Sequence, residues 1–469
     1  MCGIFGITGA EGVALKIFFG LYDLQHRGEQ SAGIAVSDGK RVKFHKGEGL
    51  VTDVLGREEI LVQLTGRYGI GHNRYSTIGD DITPEDRIFN VQPPEGYFKG
   101  QKFFLAHNGN LINIQGFKRY AAEKGYAFKT SSDTEVITAL LSVSDRADFL
   151  EALMDILPKL QGSFALTILL KDKVIGVRDS RGIRPLCLGR HESGFILASE
   201  SCAFHTIGAS FIRDILPGEI VVLDETGISR QFIWAENPKL NLCVFELVYF
   251  ARPDSMIDGI SPYVHRLKAG ELCAKENPTK ADLATSIPES GEIYSFGFAR
   301  ASGIPLEKAI FRNRYFLGDI LSHSDKSRKF VRTFLMERGT DRRKIQRHKF
   351  YCLRKVVHEK SVAVIDDSLI RGNVSPEIIS MLRKQGAREV HERICSPPVR
   401  HPCFLGIDMP SRAKLIASSL SVGEIRRHIE ADSLGYLELE SLIEASGLAK
   451  ENLCLGCFTG EYPVAPPLE

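Results

Sequence analysis

Cys2 follows the initiator methionine directly, in the run Met1-Cys2-Gly3-Ile4-Phe5-Gly6-Ile7. A small second residue permits removal of the methionine, so Cys2 is the expected mature N-terminus. Its thiol and its own α-amino group would then share one residue. The thiolate is the nucleophilic form of cysteine, and a neighbouring amine can take the proton. Gly3 and Gly6 permit close backbone approach to a substrate, while Ile4, Phe5 and Ile7 read as a buried strand that fixes the nucleophile. The same residues also read as an ordinary buried strand carrying an inert cysteine, and the rest of the chain has to decide.

A second stretch with chemistry in it is Val362-Ala363-Val364-Ile365-Asp366-Asp367-Ser368-Leu369-Ile370-Arg371-Gly372-Asn373-Val374-Ser375. Residues 362–365 read as a short buried strand with two carboxylates at its C-terminal edge, where ligands bind in open α/β sheets. Ser375 has the type of an N-cap, Pro376 suits the first helical position, and Gly386 ends a helix running to about Gln385. A loop ahead of a helix N-terminus cradles phosphate, because its N–H groups and the helix dipole favour an anion. The paired acids suit ribose hydroxyls and a magnesium ion. The plainer reading is any doubly wound fold with acidic strand ends. Near the C-terminus, Cys454-Leu455-Gly456-Cys457 has ligand spacing, which by itself leaves zinc, an iron–sulfur cluster or no metal open.

These groups need elements to hold them. Residues 14–24 carry apolar side chains at helical spacing and lead into Gln25-His26-Arg27-Gly28-Glu29-Gln30. Apolar stretches at 68–72, 102–107 and 163–170 read as strands, with helical patterns at 116–124, 134–142 and 149–157 between them. Three polar clusters end strands or open helices: His72-Asn73-Arg74-Tyr75-Ser76-Thr77, His107-Asn108-Gly109-Asn110 and Ser131-Ser132-Asp133-Thr134-Glu135. Taken alone, Asp133 reads as a helix N-cap and Asn108-Gly109 as a hairpin turn. The pattern changes near residues 235–240, and the second half alternates strands and helices as a parallel sheet requires.

Composition narrows the class. With 469 residues, 43% hydrophobic and 25% charged, the chain has the make-up of a soluble globular protein of several domains. A net charge of +2 supplies no field for nucleic acid. No apolar run is long enough to span a bilayer, and no secretory leader is visible, so a cytoplasmic location is expected and no membrane partner. Ten scattered cysteines there do not form a disulfide framework; Cys187, Cys202, Cys273, Cys352 and Cys395 read as structural.

Cys2-Gly3-Ile4, His26-Arg27-Gly28, Arg74-Tyr75-Ser76-Thr77, His107-Asn108-Gly109-Asn110-Leu111 and Ser132-Asp133-Thr134-Glu135 together resemble the class II glutamine amidotransferases in order and spacing. The resemblance implies an N-terminal-nucleophile hydrolase αββα sandwich in which Cys2 attacks the glutamine side-chain amide. It implies an oxyanion hole of Asn108 and the Gly109 N–H, and glutamine held by Arg27, Arg74, Thr77 and Asp133. One departure is the order Glu29-Gln30, where the family has Gln-Glu. The 366–375 segment resembles the loop of type I phosphoribosyltransferases that binds phosphoribosyl pyrophosphate (PRPP). That implies PRPP on Asp366, Asp367, Ser368, Arg371, Gly372, Asn373 and Ser375, with magnesium at Ser290, Asp366 and Asp367. Asn373-Val374 replaces the family's Thr-Thr there, and residues 317–330 interrupt the stretch between Asn313-Arg314-Tyr315 and Arg332-Thr333-Phe334.

The combination resembles the family of glutamine PRPP amidotransferases over nearly the whole chain. It implies a glutaminase domain over 2–238, a phosphoribosyltransferase domain over 239–430, and a C-terminal helical segment over 431–469. The implied reaction moves ammonia from glutamine to PRPP, at the entry to purine synthesis. Some members carry two further cysteines where Cys243 and Cys403 fall, so the resemblance implies a [4Fe–4S] cluster on Cys243, Cys403, Cys454 and Cys457 in preference to zinc. It also implies a homo-oligomer. The altered cradle and lengthened loop leave a second reading, a catalytically weakened PRPP- or nucleotide-binding paralogue of the same fold.

Overall fold

A computed structural model describes residues 1–9, 11–75, 89–313, 349–409 and 411–467. Thr77 and residues 317–330 lie outside the described residues. In the N-terminal half, two antiparallel sheets pack face to face. The seven-stranded sheet runs in the order Ser210–Asp214, Cys187–His191, Gly194–Ala198, Gly3–Thr8, Tyr68–Arg74, Ser31–Ser37, Val42–Glu48. The six-stranded sheet runs Gly227–Ile233, Glu219–Asp224, Val174–Arg178, Gly162–Leu169, Gln101–Leu111, Glu95–Phe98.

The sequence dictates which face goes where. Along Gly3–Thr8, Ile4 points into the layer between the sheets with Ile70, Phe104 and Ala165. Phe5 and Ile7 point the other way, against Val13, Ile17 and Leu21 of the Val13–Asp23 helix. Such two-sided burial requires a strand without polar alternation. The outer face of the six-stranded sheet is covered by the Asp133–Ser142 and Phe149–Ile156 helices. The layers are therefore helix, sheet, sheet, helix, as expected. Gly3–Thr8 sits at the centre of its sheet, so Cys2 begins a strand that is hydrogen-bonded on both sides.

The second half holds a four-stranded, all-parallel sheet in the order Leu283–Ser286, Ser361–Asp366, Glu389–Ile394, Ser433–Tyr436. The last of these strands corrects the boundary expected at 430. Residues 433–436 complete the sheet, because Leu434 and Tyr436 pair with Glu392 and Ile394. The chain then returns to the domain junction, where Leu453-Cys454 pairs in parallel with Leu242-Cys243.

Candidate functional sites

The Cys2 nitrogen donates to Asn108 Oδ1 at 3.2 Å, across the edge of the sandwich. Asn108-Gly109 is no hairpin turn. It lies within the Gln101–Leu111 strand, paired with Ala165 and Phe164 of the next strand. The local turn signal is overridden by the long strand register, and Gly109 is needed for another reason. Its φ is +154°, and a Cβ there would meet the Ser163 carbonyl oxygen at 2.0 Å.

Along the outer edge of this strand, Leu105 N–H donates to Pro94 O, His107 N–H to Gln92 Oε1, and Leu111 N–H to Asp133 Oδ2. Strand alternation puts the Gly109 N–H on the same edge. Beside it, Asn108 Nδ2 is buried with no hydrogen-bond partner. An unsatisfied buried amide is costly unless something completes it. A developing oxyanion would do so.

Asp133 is the first residue of its helix; the N-cap is Ser132, whose Oγ accepts from Thr134 N. This moves the expected cap by one residue and frees the Asp133 carboxylate to face Leu111 N and His107 Nδ1, 3.7 Å away. Arg74 donates to Asn90 O at 2.7 Å and interacts electrostatically with both Cys2 and Asp133; burial lowers its pKa, with those two acids acting against it. Cys2, Asn108, Arg74 and Asp133 thus lie near one another. The swapped Glu29-Gln30 leaves the neighbouring turn docked: Gln30 N–H donates to Arg74 O, and Gly49 N–H to Gln30 O.

Arg27 is a correction. It was expected on glutamine, yet it is 1% exposed and its guanidinium is occupied from within. Nε donates to the Cys2 carbonyl at 2.9 Å, one terminal nitrogen contacts Glu200 Oε1, and the two together reach Glu246 at 3.0 and 2.9 Å. Burial opposes the Arg27 charge, but Glu246 and Glu200 outweigh it and raise its pKa above the ordinary value. Burial likewise pushes the Glu200 carboxyl up, and His26 and Arg27 more than reverse this, holding it well below the carboxylate range. Glu200 and Glu246 were missed in the sequence. The available signal was a single acid inside an apolar run, Val244-Phe245-Glu246-Leu247-Val248, which is tolerated only when paired. Arg184 stands 3.5 Å from Glu246 and also holds the Leu405 carbonyl and Met1 Sδ. Met1 itself is buried, and burial drives its amine well below the usual range.

In the second half, Asp366 ends its strand, and Asp367 N–H donates to Asp366 Oδ1 at 3.0 Å. Ser290 Oγ lies 3.4 Å from Asp366 Oδ1, and Ser368 Oγ bonds to Asp367. Burial raises both acids, and for Asp366 the neighbouring Asp367 and Glu392 add to it. Arg266 acts on Asp367 in the opposite direction, and two buried acids side by side fit a divalent cation.

The helix after the loop spans Ser375–Lys384 and is capped by Val374, with no side-chain cap bond. This corrects the expected cap at Ser375. Val374 already has helical φ and ψ, and the Ser375 hydroxyl bonds to buried Glu392. Asn373 is exposed, Gly372 takes φ +68°, and Arg371 pairs with Asp408 at 3.5 Å.

Cys243 and Cys454 sit side by side in the short parallel pair. The Cys243, Cys403 and Cys454 charges all act on Cys457, so the four thiols converge. Burial pushes Cys243 up to about 11 and raises Cys454 and Cys457 further. Among the described residues, the one group of three or more metal-ligating residues with donor atoms within 4.8 Å of one another is His26, Glu200 and Cys202. No three of the four converging thiols are that close. Tetrahedral zinc, with Zn–S of about 2.3 Å, needs sulfurs about 3.8 Å apart, so the wider set fits a cluster better.

A glutamine amidotransferase domain family matches residues 86–206. An amidophosphoribosyltransferase of Methanocaldococcus jannaschii is 42% identical, covering 99% of this chain and 98% of its own. One of Bacillus subtilis is 39% identical, covering 98% and 94%. The solved structure of the B. subtilis glutamine PRPP amidotransferase complexed with ADP and GMP matches with a TM-score of 0.89 at 38% identity, over 99% of this chain and 98% of that one.

Proposed function

The chain belongs to the amidophosphoribosyltransferase family, and from that membership we propose how its residues divide the reaction. The protein transfers ammonia from glutamine to PRPP, giving 5-phosphoribosylamine, pyrophosphate and glutamate, the first step of de novo purine biosynthesis. No observation favours the weakened paralogue.

Cys2 is the glutaminase nucleophile. Once Met1 is removed, its nitrogen is the α-amine that Asn108 Oδ1 orients. This amine takes the thiol proton as sulfur attacks the carboxamide carbon, and passes it to the departing nitrogen, which leaves as ammonia. Water then cleaves the thioester to glutamate and restores the thiol. Asn108 Nδ2 and the Gly109 N–H stabilise the oxyanion in both tetrahedral stages. Arg74 receives the glutamine α-carboxylate as a forked donor, together with Thr77, and Asp133 receives the α-ammonium. The observation that carries this reading is the orphaned Asn108 Nδ2 beside the Cys2 sulfur's own residue.

In the second domain, the 366–375 loop holds PRPP: Asp366 and Asp367 on the ribose, with Ser368 between them and the cradle, and Arg371–Ser375 around the 5-phosphate. Ser290, Asp366 and Asp367 would hold magnesium, which supplies charge neutralisation for the pyrophosphate leaving group. Ammonia adds at the ribose C1 as the C1–O bond to pyrophosphate breaks; pyrophosphate leaves intact, and the added nitrogen gives up one proton to become the amine. Cys243, Cys403, Cys454 and Cys457 would hold a [4Fe–4S] cluster, whose bonds would tie together the three segments that carry them. The proposal also includes a cytoplasmic homo-oligomer; among the described residues, no helix is long and apolar enough to cross a membrane.

Two experiments test this. Mass spectrometry should show loss of Met1, and Cys2→Ala should lower glutamine-dependent synthesis by about 10⁴-fold or more while synthesis from high ammonia survives. Unchanged glutamine turnover removes the assignment. Anaerobically purified protein should be brown with about four irons per chain; colourless, zinc-loaded protein supports the tetrahedral site instead.

A further inference from the structure

Arg27 fixes the Cys2 carbonyl, and the group that fixes Arg27 does not come from the glutaminase sandwich alone. Glu246 opens the Glu246–Phe250 turn, just after the Leu242-Cys243 strand that pairs with the C-terminal segment. It lies outside both sandwich sheets. Its carboxylate is fully buried and accepts from both terminal nitrogens of Arg27, at 3.0 and 2.9 Å. The same carboxylate stands 3.5 Å from Arg184, which clasps the Leu405 carbonyl. The loop around Leu405 in turn docks on the oxyanion strand: Asn110 Nδ2 donates to Phe404 O and Ser163 Oγ to Leu405 O, each at 2.8 Å. One buried acid from beyond the sandwich therefore braces the backbone of the nucleophile, and through Arg184 it touches the segment packed against Gly109.

We propose that Glu246 is a positioning residue for glutamine hydrolysis, holding Arg27 so that the Cys2 backbone, and with it the thiol and α-amine, stays aligned with the Asn108–Gly109 donors. This rests on the reading of Cys2 as nucleophile. Arg27 and Arg184 are both fully buried cations, and the acids within reach of Arg27 are Glu200 and Glu246. Glu200 is already shared among His26, Arg27, Ser255 and the Arg252 N–H. Without Glu246 the two arginines repel each other in a low-dielectric site, and Arg27 has to turn toward its remaining acid. The Nε bond to Cys2 O is lost with that turn. Displacement of about 1 Å in a reacting group lowers turnover about a hundredfold.

The molecule contains a comparable pair that serves as a control. Arg178, a buried sandwich arginine, makes a two-pronged pair with the half-buried Asp258, also from beyond the sandwich, at 2.7 and 2.7 Å, and no contact of either with Cys2 is seen among the described residues. The experiment compares Glu246→Gln, Asp258→Asn and Cys2→Ala in the full-length protein, measuring synthesis from glutamine and from ammonia separately. Glu246→Gln should lower kcat with glutamine about a hundredfold, with KM for glutamine and the ammonia-dependent rate retained. Asp258→Asn should leave the ratio of the two activities at its wild-type value. If both variants lower both activities together, the effect is loosened domain packing and the proposal fails; it fails equally if Glu246→Gln hydrolyses glutamine at the wild-type rate. Should Glu246→Gln not fold, Glu246→Asp keeps the charge but draws it back from Arg27, and the same ratio decides. Glutamine turnover surviving in Cys2→Ala would instead defeat the nucleophile reading, whatever Glu246 does.

Discussion

The two halves of the molecule prepare their sites in opposite ways. Around Cys2, almost every polar group has a buried partner: Asp133 holds Leu111 N, Gln92 holds His107 N, Arg27 holds the Cys2 carbonyl. Asn108 Nδ2, a buried donor without a partner, is one that the chemistry needs. Around the 366–375 loop, Asn373 is exposed, the helix lacks a side-chain cap, and the Ser375 hydroxyl is turned inward to Glu392. Forming a covalent intermediate demands donors fixed before the oxyanion appears. Binding a polyanion can rely on backbone N–H groups, charge and a metal ion. A rigid strand serves the first task, and a loop at a sheet edge serves the second.

The strongest test of that contrast is Asn108→Ala. If the glutaminase site is preorganised, losing one oxyanion donor should lower kcat about 10²–10³-fold with little change in KM for glutamine. Steady-state kinetics of glutamine hydrolysis measure it. A rise in KM with kcat retained would show that Asn108 serves substrate binding instead.

How far these sites could be read from sequence differs in the same way. Cys2, Asn108 and Asp133 could be named as candidates because their motifs occur in order along the chain, and the fold brings Cys2 and Asn108 into contact. Their local surroundings misled: Asn108-Gly109 has the residues of a turn, yet the strand runs on through it to Leu111, held by Gln92 and Asp133 from distant segments. Arg27 was legible as important but not in its role, since its partners Glu200 and Glu246 lie 173 and 219 positions away. At the cradle, Ser375 has the right type for an N-cap, but a buried acid on the neighbouring strand competes for its hydroxyl. Side-chain chemistry can be read from residue type and spacing. The choice between two partners depends on packing, and periodicity does not report it.

Glu392 offers the next test, beneath the cradle. It is fully buried, its Oε2 lacks a partner, and burial pushes its pKa up to about 7, with Ser375 acting the other way. An unfolded glutamate titrates near 4.3. Between these values the folded state keeps a proton that the unfolded chain has released, so stability falls as pH rises from about 4 to about 7 and stays lower above. Glu392→Gln should remove that loss, raising stability at pH 8 relative to pH 5 by about 2–3 kcal/mol compared with wild type. Thermal unfolding of both proteins across this range is the measurement. Parallel pH profiles for the two would mean that residue 392 carries no such proton.

The smallest effect expected is at Val374, and it bears most directly on how an open cradle works. Val374 occupies the cap position of the Ser375–Lys384 helix and offers no side-chain oxygen to it. Ser375 is a poor substitute, because its hydroxyl already serves Glu392. Threonine at 374 restores a group that can either accept from the first helical N–H groups or donate to the 5-phosphate. A hydrogen bond to a charged phosphate contributes roughly 1.5–3 kcal/mol when fully formed, but fixing the threonine rotamer at this half-buried position costs part of it. About tenfold tighter PRPP binding for Val374→Thr is therefore expected, corresponding to about 1.4 kcal/mol. Titration calorimetry with PRPP and magnesium measures it, and glutamine hydrolysis assayed without PRPP should not change. If the threonine binds PRPP no better than valine, backbone N–H groups and the metal already satisfy the phosphate. If it alters glutamine hydrolysis alone, the two sites are coupled more tightly than their separate construction implies.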